Sequence, residues 1–206
     1  MSRALLNVVL IGLVVLLLVI PVSIGLQKLE RLQAEQPTVV QGSLALEPTA
    51  QVAAGDTGYA SQAFSMSYPA QWKQSATSVQ LRDGTLAHAV VFADGQNTSA
   101  TVYTMNAASN QLQPHMDNAA LLTAGSAPVS LVRSGIVQKY DGAEWTEDDY
   151  SWMGTVGTKS VPFSMRVLGG TGGILSYVIV LSAPSARMSQ DSATIFSHML
   201  ATFRFN

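Results

Sequence analysis

Phe64-Ser65-Met66-Ser67-Tyr68-Pro69-Ala70-Gln71-Trp72 carries the alternation on which the fold turns. Phe64, Met66 and Tyr68 fall on one side of an extended chain, with Ser65 and Ser67 on the other. That period of two is the pattern of a half-buried strand. Pro69 cannot donate to a ladder and ends the pairing, and Trp72 is placed to fold back as a core plug. Strand-like runs follow at SVQLR (78–82), LAHAVVFA (86–93) and ATVYTM (100–105). Asp83-Gly84 and Asp94-Gly95-Gln96-Asn97 separate them, and Asp-Gly is a hairpin signal. Residues 111–125 contain MDNAALLTA, a short helix with Pro114 near its start.

A second set of strands comes after that helix. SLVRSGIVQKY (130–140) passes through Asp141-Gly142 into AEWTEDDYSWMG (143–154). PFSMRVLGG and ILSYVIVLSAP then flank Gly169 to Gly173 and read as a hairpin around a glycine loop. In SARMSQDSATIFSHMLATFRF, Met188, Ile195, Phe196, Met199 and Leu200 share one helical face. Ser185 or Ser189 is positioned to cap that helix, and Asp191 suits its N-terminal end. Phe203 and Phe205 alternate as a last short strand. Strands, helix, strands, helix predicts an α+β domain on a largely antiparallel sheet flanked by helices.

Three of these stretches together resemble the PsbP-like family, named for an extrinsic protein of photosystem II. They are the entry strand Phe64 to Trp72, the late hairpin from Pro162 to Ser182 running into Ala183-Pro184, and the closing IFSHMLATFRF (195–205). The resemblance covers about 62–206. It implies an αβα sandwich and a non-enzymatic role in assembling or stabilising a membrane complex from the extracytoplasmic side. One departure is that the photosystem subunit is a soluble lumenal protein, whereas this chain carries an apolar leader.

That leader, ALLNVVLIGLVVLLLVIPVSIGL (4–26), runs 23 positions without a charge. At about 1.5 Å per residue a helix of this length spans roughly 30 Å of hydrocarbon. A signal-peptide core is shorter, about 7–15 residues, and ends in an Ala-x-Ala site. None stands out in GLQKLERLQAEQ (25–36), so the expectation is an uncleaved single-pass signal-anchor over 1–27. Arg3 lies on one side, and Lys28 and Arg31, diluted by Glu30 and Glu35, lie on the other. This is nearly a tie under the positive-inside rule. So short an N-terminus favours a cytoplasmic start and an exported domain, placing the chain in a bacterial inner membrane facing the periplasm. Residues 28–61 read as a juxtamembrane helix end and a flexible tether, the tether reaching roughly 25–30 Å if coil-like. The expected domain is 62–206.

Charged residues make up 12% of the chain, net charge is −2, and no basic stripe occurs. Capture of nucleic acid is therefore not expected. The absence of cysteine excludes disulfides, thiolate nucleophiles, iron–sulfur clusters and lipoprotein acylation. His88, His115 and His198 show no metal-ligand spacing and read as structural or surface residues. Gly169-Gly170-Thr171-Gly172-Gly173 lacks the Lys-Ser/Thr of a phosphate loop. Asp141, Glu144, Glu147, Asp148 and Asp149 crowd nine positions. Oxygen ligation of calcium is one reading, although the spacing of a calcium loop is missing. A charged, solvated strand edge is the other. No catalytic residue, cofactor site or metal site is expected.

Trp145, Tyr150 and Trp152 interleave with those acids. As exposed aromatics beside Asp148 and Asp149 they are the expected partner-contact surface. Asn7, Gly12, Ser23 and Gly25 are the expected helix-packing positions in the membrane. The function expected is an accessory or assembly subunit whose partners are integral membrane proteins of a larger complex and membrane lipid. The alternative is an envelope-anchored binding module for a small apolar ligand or peptide.

Overall fold

The computed structural model describes Val39, Val40 and residues 55–206 apart from 107, 108 and 126. The chain divides into Met1–Gln36 and Pro37–Asn206, and the second unit is the one described. The anchor over 1–27, with Asn7, Gly12, Ser23 and Gly25, lies outside the described residues, as does most of the tether. Among the described residues no helix is long and apolar enough to cross a membrane.

The strands are β1 (Val39–Val40), β2 (Asp56–Ala60), β3 (Phe64–Pro69), β4 (Lys73–Gln80), β5 (Leu86–Ala93), β6 (Ser99–Met105), β7 (Val129–Tyr140), β8 (Ala143–Val156), β9 (Lys159–Gly172), β10 (Leu175–Pro184) and β11 (Arg204–Phe205). Eight of them form one antiparallel sheet in the order β1-β4-β5-β6-β10-β9-β8-β7, and β11-β3-β2 form a second. Helix α1 (Leu112–Ala124) follows β6. The terminal helix follows β10 as α2 (Ser185–Asp191), a π-helical turn (Ser192–Phe196) and α3 (Ser197–Thr202).

Two cores lie on opposite faces of the large sheet. Strand β10 serves both, which is why its apolar run does not alternate. Tyr177, Ile179 and Leu181 enter one cluster with Phe64, Met66, Tyr68 and Trp72. Val178 and Val180 enter the other with Met116, Ala119 and Ala120 of α1. In α1 the buried residues His115, Met116, Ala119 and Ala120 form the stripe expected of one helix face. Pro114 sits in its first turn, where no N–H is required. The opening strand and the Trp72 plug are as the sequence predicts, Trp72 being 5% exposed.

Four expectations are corrected. First, the ordered domain begins before residue 62, because Asp56–Ala60 pairs with β3 across the tether boundary. The run DTGYA is poor in strand formers and takes its conformation from its partner. Second, the glycines of 169–172 lie within β9, and the turn is at Gly173 (φ +60°). A Cβ at Gly169 would stand 2.5 Å from Met116 Sδ and one at Gly170 2.7 Å from the Trp145 ring, and Phe205 occupies the same space at Gly172. The missing side chains admit those from α1, β8 and β11. Third, no serine side chain caps the terminal helix, whose N-cap is Pro184. Ser185 Oγ instead lies 2.8 Å from Ser164 Oγ. Fourth, β8 is an interior strand between β7 and β9, so its acids are not a strand edge.

Candidate functional site

Strand β8 places consecutive side chains on opposite faces, and its acidic run divides accordingly. Glu147 and Asp149 share one face with Arg133 of β7 and Arg166 of β9. Arg133 and Arg166 both stand opposite Asp149 in register. Arg133 Nε donates to Asp149 Oδ2 at 2.8 Å, and Arg166 Nε lies 3.7 Å from Asp149 Oδ1. Glu147 is 1% exposed, with Arg166 Nε 3.2 Å and Arg133 Nη2 3.4 Å from its Oε1. Burial pushes the Glu147 carboxyl above its ordinary value. Arg166 opposes that rise, Asp149 adds to it, and Arg133 and Gln138 oppose it.

Asp148 points to the α1 side and is fully buried without a cation against it. The Gly135 N–H donates to its Oδ1 at 2.8 Å and the Gln113 amide to its Oδ2 at 2.6 Å. The Tyr150 hydroxyl donates to Asp117 Oδ1 at 2.6 Å and stands 3.4 Å from Asp148 Oδ2. Burial raises the Tyr150 pKa, and the Asp117 and Asp148 carboxylates raise it further, so the phenol stays protonated as a donor. The Gly135 N–H is free to turn inward because β7 carries register shifts between Leu131 and Arg133 and between Arg133 and Ile136. Gly135 has φ +72°, the left-handed conformation that bulges favour.

The expected partner surface loses its aromatic members. Trp145 is 1% exposed, Tyr150 6% and Trp152 9%. Trp145 stacks on Phe205 with ring centroids 5.7 Å apart, and Trp152 on Phe163 at 4.9 Å. An acid-rich segment with interleaved aromatics reads as surface because charge is seldom buried, and here Glu147 is buried against two arginines and Asp148 against neutral donors. Asp148 is likewise interior, and Asp149 remains partly exposed. The remaining acids are also engaged. Glu144 is 3.7 Å from Lys139, and Asp141 is 3.5 Å from Arg204. Among the described residues no three metal-ligating side chains converge.

Ile174 in the β9–β10 turn and Leu86 at the start of β5 are singly exposed, and the neighbouring strand exposes several apolar groups. β7 ends the large sheet, so one side of its backbone has no partner strand among the described residues. Leu131, Val132 and Val137 are 56%, 67% and 63% exposed, and Met153 of β8 is 54% exposed. A twelve-residue edge with three exposed aliphatics is an adhesive feature that proteins usually blunt. The bulges limit pairing along its whole length, while the side chains remain available. No sequence signal marked it, because SLVRSGIVQKY reads like any half-buried strand.

The histidines occupy structural positions. His115 Nε2 lies 3.0 Å from Asp83 Oδ2, joining α1 to the β4–β5 turn, and His198 Nε2 lies 2.6 Å from Asp56. His88 sits in β5, where burial lowers its pKa.

No family model and no curated protein matches this chain. Among solved structures, cyanobacterial PsbP (CyanoP) from Synechocystis sp. PCC 6803 is similar, with a TM-score of 0.53 at 14% identity over 78% of this chain and 98% of that one. A protein from Bacteroides thetaiotaomicron VPI-5482 matches at a TM-score of 0.42 and 12% identity, over 69% of this chain and 45% of that one. The first likeness shows a PsbP-like fold of mostly antiparallel sheet with few helices.

Proposed function

We propose that this chain is a non-enzymatic accessory or assembly subunit of a membrane protein complex. In this reading the apolar run 4–26 holds it in the membrane and the domain docks from the extracytoplasmic side. Its partners are integral membrane proteins and the lipid around the anchor. The observation that carries the reading is the exposed aliphatic group on β7. Leu131, Val132 and Val137 stand out of a domain whose other large apolar side chains are mostly interior. Leu131 and Val132 follow one another along the strand and so do not share a face, but exposed aliphatics along an unpaired edge strand give a partner both side chains and backbone to dock against. The fold likeness to CyanoP is consistent with this reading.

The test is a pull-down of the full-length, C-terminally tagged chain in mild detergent, beside a Val132→Asp/Val137→Asp variant. Both residues are exposed, so the variant should fold. The wild type is expected to recover a stoichiometric set of integral membrane proteins, with recovery falling by about tenfold or more in the variant. Recovery of a lone monomer, or equal recovery by both chains, overturns the proposal.

A further inference from the structure

An open cleft of about 530 Å³, in the size range of small-molecule sites but largely open to solvent, lies where α1 ends over the large sheet. Its floor crosses five adjacent strands through Val91, Ser99, Ser182, Phe163 and Trp152. Thr123 and Ala124 of α1 form one wall, and the β5–β6 loop at Gly95, Asn97 and Thr98 forms another.

Three properties of the lining define what fits. No lining residue carries a charge, so nothing there compensates an anion or a cation, and either would be desolvated at a cost. The Thr98 and Thr123 hydroxyls are spent on Asp191 and the Ala119 carbonyl, but two serine hydroxyls of the lining are not spent. Ser182 is 4% exposed, yet no described residue hydrogen-bonds to its hydroxyl. Ser99 lines the same space, also without a side-chain hydrogen bond to a described residue. Last, the stacked rings of Trp152 and Phe163 supply a flat apolar wall. Gly154 is what lets Phe163 lie there, since a Cβ on it would be 2.7 Å from the ring.

The loop wall is preorganised from beneath. Asp94 Oδ1 accepts the N–H groups of Gln96 at 2.6 Å and Thr98 at 2.9 Å. Thr98 Oγ1 donates to buried Asp191 at 3.2 Å, and Arg187 lies 3.4 Å from Asp94 and 3.3 Å from Asp191. The local charges are therefore consumed in holding the wall and do not enter the cavity.

We infer that this cavity is a binding site for a small neutral ligand bearing hydroxyl groups around an apolar ring face, the chemistry of a neutral saccharide. The hydroxyls would exchange hydrogen bonds with Ser182 and Ser99. The C–H face would lie against the aromatic wall, where the π-electron face attracts it. A purely apolar ligand would leave the Ser182 hydroxyl unpaired on binding. The site is separate from the β7 surface and does not depend on it.

The experiment titrates the full-length chain, in a zwitterionic detergent free of sugar head groups, with glucose, N-acetylglucosamine and maltose. Glucuronate and glucosamine are the charged controls, and tryptophan fluorescence is the readout. At least one neutral sugar should give a saturable change below about 20 mM, with the charged sugars at least tenfold weaker. Ser182→Val should weaken binding about five- to tenfold with an unchanged circular dichroism spectrum. Ser99→Ala, at a partly exposed position, asks the same question should Ser182→Val misfold. No saturation by any neutral sugar, equal binding of the charged ones, or wild-type affinity in a folded variant overturns the inference.

Discussion

The two faces of β8 bury carboxylates by different chemistry. On one, Glu147 and Asp149 are held by Arg133 and Arg166, charge against charge. On the other, Asp148 is held by the Gly135 N–H and the Gln113 amide, dipoles against charge. The first arrangement needs guanidinium groups delivered by neighbouring strands in register. The second needs a bulge in β7 and a helix laid across the sheet. Ion pairing tolerates loose geometry, since 3.2–3.7 Å separates several of these atoms. Neutral donors must be close and aimed, and here two of them are within 2.8 Å.

That contrast can be broken from the ionic side with the largest effect. Arg166→Ala leaves Glu147 buried with only Arg133 near it. Removing one partner of a buried pair typically costs about 3 kcal/mol, and a loss of that order is expected in urea unfolding at neutral pH. Adding Glu147→Gln should restore about half of the loss or more, because the stranded charge is what costs. If the double variant is as unstable as the single one, packing of the Arg166 stem is responsible instead.

On the dipolar side the loss should be smaller and graded by shape. Asp148→Ala removes the acceptor of the Gly135 N–H and one of the two acceptors of the Gln113 amide, which keeps Asp117, a loss of about 1–2 kcal/mol. Asp148→Asn keeps an acceptor for Gly135 and lets Gln113 rotate its amide, so about 1 kcal/mol is expected. Equal losses for the two variants would show that the negative charge, rather than the acceptor geometry, is what the bulge requires.

The same contrast explains what was legible beforehand. The period-two pattern at Phe64, Met66 and Tyr68, the Asp-Gly turns and the terminal apolar face were all readable, because each depends on residues close in sequence. The two cores entered beforehand only through the sandwich that the family resemblance implies, although the apolar stretch of β10 serves both faces. The acidic run misled, because its fate depends on Arg133 and Arg166, which lie on other strands. Parity along β8 would have assigned Asp148 to the opposite face from Glu147. Nothing local revealed that Gln113 and a bulged Gly135 would meet it there. The glycines of β9 misled similarly, since only the side chains of Met116, Trp145 and Phe205 explain why they sit in a strand. The exposed aliphatics of β7 and the cavity beside Trp152 are products of where the sheet and α1 end, which no short pattern encodes.

The smallest expected effect is a pH dependence that separates the faces. Glu147 has a folded-state pKa above its ordinary 4.5, with burial the leading cause. The folded protein therefore holds this proton at pH values where the unfolded chain has released it. Stability from this group is fully present below the unfolded value and is lost as pH rises through the folded one. Asp83 works in the opposite sense and in a lower window. Burial pushes it up, but hydrogen bonds from Thr85 and the charge and hydrogen bond of His115 outweigh that and lower it. Its contribution is present above the ordinary value of 3.8 and is lost as pH falls through the folded one. Chemical unfolding measured in steps from pH 4 to 7 should thus show a shallow decline that Glu147→Gln flattens and Asp148→Asn leaves in place. A decline that persists in Glu147→Gln would assign it to another group and remove the claim that Glu147 is buried at a cost. Its disappearance in Asp148→Asn would mean that the two faces titrate as one network through β8, and the contrast between them would fail.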